Sequence, residues 1–576
     1  MSDLLNSASL VMIPSGYKED IVYSAVPTDG SGDLSFTRAS NGTRVNSAGL
    51  VEVTPWNLVQ NSENFSAIWT NQNSTITTNS IVAPNGTTTA DSLIGSNGSG
   101  AMGVYVAETT SVVKTLSCYV KKGSKRWAAF IAYNGNSNCW FDLDNGIVGT
   151  RGAYYSASSI TSVGNGWYRI DAVMTTAIGA ETNIGIYATN NDNDLNCTGD
   201  GTTVLSYIWG FQCNIGSTAK PYFPTTDRLN VPRLTYQNGG GGCPSLLLEK
   251  QSTNIAIYSE QFNDASWGKS NITVTANDAI SPDGTQNADK ITSTNASNTI
   301  QLAVSSSSGV DYTISVFAKN IDAGNVRLDM SNVAFGPVFT FATKTFTTVS
   351  GWTTSYQEFS NGWFRLIATR QSNSTSASPQ FGLDSVVGSV YFWGAQFEQS
   401  SYPTSYISTT SASATRVADF AITNNISSLF GSTEGSFFIE MTHDGTNANG
   451  AIPLFLRSSI GAAFNRATYL QFGTTNITLE VYNGGTSQAI ISGGSFTNGQ
   501  TLKVACGYKS NDFVLYVNGV QIGTDTSGSI SASLAFIDFG TYNLAASTFQ
   551  YNGKIGETIL FPTRLTNAEL ASLTTV

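Results

Sequence analysis

Leu116, Cys118 and Val120 alternate with Thr115, Ser117 and Tyr119 in the stretch TLSCYVKK. A period of two is the mark of a strand with one buried face. The same alternation runs through WYRIDAVMTT and WFRLIATRQS, each launched from an Asn-Gly pair that predicts a tight hairpin. APNG and SPDG are turn sequences, with Pro to start the turn and Gly to finish it. No helical period separates these runs. The pattern therefore predicts an all-β chain folded into two-sheet sandwiches of jelly-roll type. A short helix is expected at NNISSLFG, and a terminal one where Thr566 and Glu569 are spaced as a capping box.

The chain carries this pattern twice. NGWYRI (Asn165 to Ile170) returns as NGWFRL (Asn361 to Leu366), and LVEVTPWNLVQNSENF (Leu50 to Phe65) as LLEKQSTNIAIYSEQF (Leu247 to Phe262). Asn57 then faces Asn254, Ser62-Glu63 faces Ser259-Glu260, and YIWGFQ (Tyr207 to Gln212) answers YFWGAQ (Tyr391 to Gln396). The offset is 197 residues at Leu50, 196 at the NGW motif and 184 at the end. The loss falls around TNNDNDLNCTGDGTT (Thr189 to Thr203), which predicts a loop insertion in the first copy. One domain has been duplicated in tandem. The tryptophans kept in register (Trp69/Trp267, Trp167/Trp363, Trp209/Trp393) are expected in its cores.

The duplication sets the domain boundaries. Residues 1–49 read as an N-terminal attachment segment with a hairpin at Asn41-Gly42, and 50–226 as the first jelly-roll module. Residues 227–246, with their four-glycine run, read as a flexible connector to a second module at 247–410. A second connector is expected at 411–430 and a separate C-terminal sandwich at 431–576.

Composition narrows the function classes. Charged residues make up only 12% of the 576, while aromatic residues reach 11% and hydrophobic residues 40%, enough for real cores under a polar, uncharged surface. A net charge of −11, with no basic run beyond KKGSKR, argues against nucleic acid and anionic lipid as partners. No stretch approaches the ~20 apolar residues of a membrane span. The acidic opening MSDLLNSASL lacks a cationic n-region, so no signal peptide is expected. Six cysteines without a C-x-x-C pair are expected as single, mostly buried thiols, in keeping with synthesis in a reducing cytoplasm.

VACGYKSNDFVLYVNGVQIGTDT (Val504 to Thr526) and YNGKIGETILFPTRLTNAEL (Tyr551 to Leu570) resemble the ending of the concanavalin A-like (laminin G-type) sandwich. The two repeats resemble carbohydrate-binding-module jelly rolls. FTRASNGTRVNSAGLVE and GGGGCPSLLLEKQSTNIAIYSEQF are similar to recurrent openings in bacteriophage virion proteins. The resemblance implies a tail-fibre-like or other virion surface protein that binds glycans of a host bacterium. It also implies other virion proteins of the tail, neck or capsid as partners, assembly in the host cytoplasm, and a homo-oligomer, by analogy with fibres a trimer. In that class the TRVNSAGL hairpin leads on to the Gly-rich Cys-Pro segment. Here a whole sandwich stands between them, which makes the first module an insertion or a copy.

Catalytic chemistry has little to work with. The single histidine, His443, is expected in a loop beside a turn, and nothing resembles a nucleophile elbow. No strand carries alternating carboxylates of the E-x-D-x-x-E kind; Glu434 and Glu440 are separated by apolar residues. Glycan binding needs less: aromatic faces for the sugar's C–H surface and fixed amides for its hydroxyls. Trp127, Trp140 and Trp352 have no partner in register, and Trp127, Tyr133, Trp140, Tyr154 and Tyr155 gather around the Asn-rich YNGNSNCW, so these and Trp352 are the candidate glycan-binding residues. In the inserted loop, Asp192, Asp194, Asn196 and Asp200 are the candidate ligands of a structural calcium, although Cys197 occupies the place where an EF loop needs Gly.

The expected function is binding without catalysis, the repeat supplying valency. A structural adaptor of the neck, tail or capsid and a glycan depolymerase are the alternatives.

Overall fold

The computed structural model describes residues 2–108, 113–132, 137–175, 183–331, 335–383, 387–443, 450–458, 466–497, 499–530, 534–540 and 550–575. The Asn-Gly turns of the two repeats form as their sequence predicts; the hairpin expected at Asn41-Gly42 does not, because Leu34–Thr37 and Gly42–Val45 lie in different sheets and Gly42–Val45 pairs instead with Val51–Thr54. Asn165 and Gly166 take φ of 53° and 77°, and Asn361 and Gly362 take 61° and 77°, the left-handed pair a two-residue hairpin loop requires. Among the described residues the fold is all-β apart from short helical pieces: Ser2–Leu5, which no pattern announced, 3-10 turns at Ser360–Gly362 and Ser427–Leu429, and Asn567–Thr574, opened by the Thr566–Glu569 capping box. The chain divides into two compact units, Thr54–Leu229, and Met1–Val53 with Asn230–Val576.

Thr54–Leu229 is the first module, two six-stranded antiparallel sheets face to face. In one, Lys114–Lys122 lies between Trp167–Met174 and Val204–Ile215, with Leu116, Cys118 and Val120 fully buried. The other runs Ile147–Arg151, Ser137–Asp142, Trp127–Ala132, Asn183–Thr189, Met102–Ala107, Thr70–Gln72, and turns Phe141, Phe130, Ile186 and Val104 inward. Each such side chain contributes about 1.5–3 kcal/mol on burial.

In the second unit the second module repeats both sheets strand for strand. The duplicated motifs are its hydrogen-bonding joints. The Asn57 amide donates to the Phe211 and Phe223 carbonyls and accepts from the Val59 and Cys213 amides; Asn254 does the same with Ala395, Ile407, Ala256 and Phe397. Asp91 accepts from the Phe65 and Asn79 amides, and Asp289 from those of Phe262 and Asn277. The Trp167 and Trp363 indoles both donate 3.2 Å bonds to carbonyls, those of Val82 and Ile280. Each joint satisfies backbone groups that an apolar replacement would orphan. All three register-matched tryptophan pairs are buried.

The rest of the second unit is a larger sandwich, and its boundaries correct three expectations. Leu10–Met12 and Ser245–Leu248 both pair with Gly553–Phe561, Leu10 opposite Leu560 and Leu246 opposite Ile555. In the other sheet Leu34–Thr37 pairs with Phe420–Thr423, which pairs with Phe536–Phe539. Residues 1–49 are therefore not a separate attachment segment, and the connectors at 227–246 and 411–430 supply sandwich strands. The chain begins in the sandwich, leaves it for the first module, returns, leaves for the second, and returns to finish. The N-terminal and linker strands are two to four residues long, and Leu10–Met12, Leu34–Thr37 and Ser245–Leu248 pair hundreds of residues away, so local periodicity could not reveal them.

Where these passes meet lies a buried ionic cluster of Arg38, Arg233, Glu249, Arg416 and Asp419, with side chains 0–5% exposed. Arg38 Nη1 reaches Asp419 Oδ1 at 2.8 Å, and Arg233 Nη1 reaches Glu249 Oε2 at 2.6 Å while its other arm pairs with Asp419. Arg416 adds longer pairings to both carboxylates, at 3.4 and 3.6 Å. Burial alone would raise the Glu249 carboxyl, but the Arg416 and Arg233 charges and hydrogen bonds outweigh it and bring it down to about 2. His443, expected in a loop, is instead the last residue of the strand Glu434–His443, buried among the rings of Phe472, Phe496 and Tyr551.

Candidate functional site

In a strand with one face in the core, the alternate residues point outward, and in the first module those residues are aromatic. On the sheet that ends with Thr70–Gln72, the outward positions include Tyr105, Tyr187, Ile131, Trp127 and Trp140. Gly103 stands directly opposite Tyr187, and Gly185 opposite Tyr105. A Cβ at Gly103 would lie 2.5 Å from the Tyr187 ring, and one at Gly185 2.8 Å from Tyr105 Cβ. Only glycine lets the two tyrosines lie this close over the neighbouring strand.

The result is a depression of about 290 Å³ floored by Tyr187 and Ile131 and walled by Tyr105, Gln72, Asn183 and Leu195. Tyr105, Gln72 and Asn183 are half-buried, and Tyr187 is 4% exposed. The Gln72 amide and both tyrosine hydroxyls make no hydrogen bond to a described residue, leaving their polar ends for a ligand. Burial, with Tyr105 beside it, pushes the Tyr187 hydroxyl well above the usual phenol range, so it remains a donor at any physiological pH. Aromatic surface beside unengaged hydroxyls and the Gln72 amide is the chemistry a sugar ring requires.

The loop insertion covers the other half of this face. Leu195 reaches the depression, and the Trp140 indole donates to the Asp194 carbonyl at 3.4 Å. Trp140 lies under the inserted loop and Tyr155 is part of the inner core, so neither presents a face to a sugar. This corrects both as stacking residues: the insertion lies over one, and the inward phase of the strand Tyr155–Gly164 takes the other. Trp127 is half-buried, under the Arg126 guanidinium and close to Gly149. Tyr154 is half-buried beside Ser137, and Tyr133 lies outside the described residues. Trp352 is on an edge strand of the second module, against its core and under Arg370. Tyr105 and Tyr187 escaped the sequence reading because each is a lone aromatic in its strand. The signal was there in their alternation with Val104 and Ile186.

The four acidic-loop residues do not converge. Asp192 accepts from the Thr150 amide and hydroxyl at 2.8 and 3.0 Å, Asp194 caps the Asn196 amide, and Asp200 is bound by Thr202 and Thr203. Hydrogen bonds from Thr203 and Thr202 hold the exposed Asp200 carboxyl below its usual range. Asn196 is exposed, and no group of three or more His, Cys, Asp or Glu side chains that could hold a metal occurs among the described residues. The oxygens serve turns and sheet edges, an arrangement that does not fit a calcium cage. Five of the six cysteines are buried and Cys243 is exposed.

The second module lacks this face. Thr70 and Gly268 each follow the matched tryptophan, and their partners are Tyr105 and Gln301. Carrying the register across the sheet puts Gly382 in the place of Tyr187, Val338 in that of Trp140 and Asn325 in that of Trp127. An Arg327–Asp329 ion pair crosses the same surface at 2.5 Å. The repeat duplicates the frame and not the face, so each chain offers this face once rather than twice.

Residues 436–571 match the family model described as the concanavalin A-like lectin/glucanases superfamily. Similar solved structures include the CBM40 of the Ruminococcus gnavus IT-sialidase bound to α2,3-sialyllactose, 16% identical, which covers 27% of this chain and 91% of its own with a TM-score of 0.23. A variant NanB sialidase from Streptococcus pneumoniae is 16% identical over 26% of this chain and 25% of its own, TM-score 0.22. The native heptameric SAP-like pentraxin from Limulus polyphemus is 14% identical over 25% and 70%, TM-score 0.21. None of the curated proteins compared with the chain matches it. The chain is an all-β protein that ends in a concanavalin A-like domain.

Proposed function

We propose that this protein binds glycans through the outer face of its first module, without catalysis, as a surface or tail-fibre component of a bacteriophage virion. The observation that carries the binding reading is the Tyr105–Tyr187 depression, with its unengaged hydroxyls and the Gln72 amide. The virion reading rests on the resemblance of the two opening motifs, and those motifs have a structural role of their own. Arg38 in FTRAS and Glu249 in LLLEK are members of the buried ionic cluster, so the recurrent sequence is the part that closes the sandwich on itself. Other virion proteins are the expected structural partners and a host-surface glycan the expected ligand.

A glycan array probed with the full-length chain tests this. A saturable signal that falls about tenfold or more on Tyr105→Ala, and again on Tyr187→Ala, is expected for stacking contacts of this kind. Gln301→Ala, at the place of Tyr105 in the second module, leaves the signal unchanged. A glycan signal indifferent to both tyrosines would overturn the assignment of the face. No signal on any glycan would transfer the reading to the structural adaptor, and a shortened glycan product would transfer it to the depolymerase.

A further inference from the structure

Within the second unit, the outer face of the second module's sheet packs against the sandwich hairpin that carries Val45 and Val51. The seam holds a partly open cavity of about 100 Å³. Arg365 lines it from the strand Phe364–Gln371, where it stands opposite Phe317 and Gln357. The side chain is nine-tenths buried, at 4% exposure, and makes no ion pair with a described residue. Nη2 donates to Ser315 Oγ at 3.0 Å, the guanidinium lies over the Phe317 ring at 5.6 Å, and Nε has no partner.

The two carboxylates whose charges reach Arg365 are engaged elsewhere. Glu398 accepts from Thr404 and Ser252, and Glu249 from Arg233 and Ser405. Burial holds the Arg365 guanidinium below its usual range, the response of a cation without a counter-ion. The first module supplies an internal control. Arg169, at the same place in NGWYRI, donates both to Ser117 and to the Lys220 carbonyl. The matching carbonyl in the second module, that of Thr404, accepts from Gln396 alone. Both guanidiniums leave Nε without a partner, but Arg365 lacks the carbonyl bond of its twin and lines a cavity instead.

A second orphan lines the same cavity. Asn552 is 3% exposed and its Oδ1 is buried without a donor. One wall therefore lacks an acceptor for a cation and another lacks a donor for an amide oxygen, while Val51, Phe317 and Phe359 supply apolar surface between. The nearby charges of Glu249 and Glu398 disfavour a dianion such as phosphate. We infer that this cavity binds a small hydroxycarboxylate monoanion, its carboxylate on the Arg365 guanidinium and its hydroxyl donating to Asn552. A fork of guanidinium donors is suited to a planar carboxylate.

Sodium L-lactate, sodium propionate, sodium phosphate and sodium chloride at matched ionic strength, followed by thermal unfolding of the full-length chain, test the site. Lactate at tenfold excess over its dissociation constant is expected to raise the midpoint of the second unit by about 1–3 °C. Propionate, lacking the hydroxyl, raises it less, and phosphate and chloride do not raise it. Arg365→Gln abolishes the lactate shift, Asn552→Ala removes the advantage of lactate over propionate, and Arg169→Gln leaves both intact. If Arg365→Gln does not fold, Arg365→Lys keeps the charge without the fork and must weaken lactate at least fivefold. Transferred-saturation NMR of lactate on the unmodified chain gives a reading independent of any variant. Lactate that does no more than chloride, or a shift that survives in both Arg365 variants, overturns the proposal. An equal rise with phosphate would replace the hydroxycarboxylate with a general oxyanion and overturn the ligand class.

Discussion

Asp419→Asn isolates what holds the discontinuous sandwich together. Asp419 is fully buried and takes Arg38 at 2.8 Å, the second arm of Arg233, Arg416 at 3.6 Å and the Glu249 amide at 2.9 Å. The cluster holds three guanidiniums against two carboxylates, already one cation in excess. Asparagine keeps the shape and one acceptor but leaves three positive charges facing Glu249 alone. Breaking a single buried pair costs about 3–5 kcal/mol, and with three cations affected the upper half of that range is expected. The second unit contains about 400 residues. At about 2.1 cal/mol/K per residue its unfolding entropy is about 0.8 kcal/mol/K, so a loss of about 4 kcal/mol lowers the midpoint by about 5 °C. Urea unfolding followed by near-UV circular dichroism, beside scanning calorimetry, reads both quantities. Glu358→Gln, which removes an ion pair whose partners are 44% and 51% exposed, is the control, expected within about 0.5 kcal/mol. A loss below about 1 kcal/mol for Asp419→Asn would refute the cluster as the fastening of the three chain passes.

Acid should undo the same cluster: Glu249 lies lower in the fold, at about 2, than in the unfolded chain, so its contribution is complete above pH 4.5 and fades as pH falls toward 2, which acid unfolding curves will display against Glu249→Gln. Glu260 behaves in the opposite sense. Burial, with Asp283 nearby, raises its carboxyl to about 7, so the ionised unfolded state gains on the fold as pH rises from 4.5 through 7. Glu260→Gln is expected to be neutral near pH 4.5 and to stabilise by about 2–3 kcal/mol at pH 8, and equal effects at the two pH values in urea titrations would contradict this. Deleting residues 1–12 removes a strand whose Leu10, Val11 and Met12 are 0–5% exposed. A calorimetric scan should lose several kcal/mol from the second unit's transition, and an unchanged transition would show the strand to be dispensable.

Much of the fold was legible because it is written locally. Period-two alternation and Asn-Gly pairs place the module strands, and the repeat itself sorts buried tryptophans from the rest. The Thr566–Glu569 box is equally local, and it forms as spaced. What escaped is non-local. Leu10–Met12 finds Gly553–Phe561 across more than five hundred residues, and a four-glycine run gives no hint that strands lie on either side of it. Of the candidate aromatics, Trp127 and Trp140 stand on the outer side of the sheet that carries the Tyr105–Tyr187 depression, a placement their Asn-rich neighbourhood hinted at. Burial of Trp140 depends on where the inserted loop comes to rest, which no periodicity encodes. The acidic loop misled for a related reason: Asp and Asn that bind their own backbone turns have the same composition as a metal loop.

The two modules show why binding would be carried by a face and not by a fold. A two-residue period gives core and surface separate positions in the same strand, so one set can change while the other is held. Val104, Phe130 and Ile186 have Ile300, Leu328 and Phe381 as counterparts, apolar in both copies and all fully or nearly fully buried. Interleaved with them, Gly103 and Tyr105 become Thr299 and Gln301, and Tyr187 becomes Gly382. The glycine that seats a tyrosine ring has lost its purpose once the tyrosine has gone, and both change together. Such paired loss follows if Gly103 was held for the ring above it, since elsewhere a glycine inside a strand only weakens it. With one aromatic face per chain, avidity has to come from copies of the chain rather than from the repeat within it.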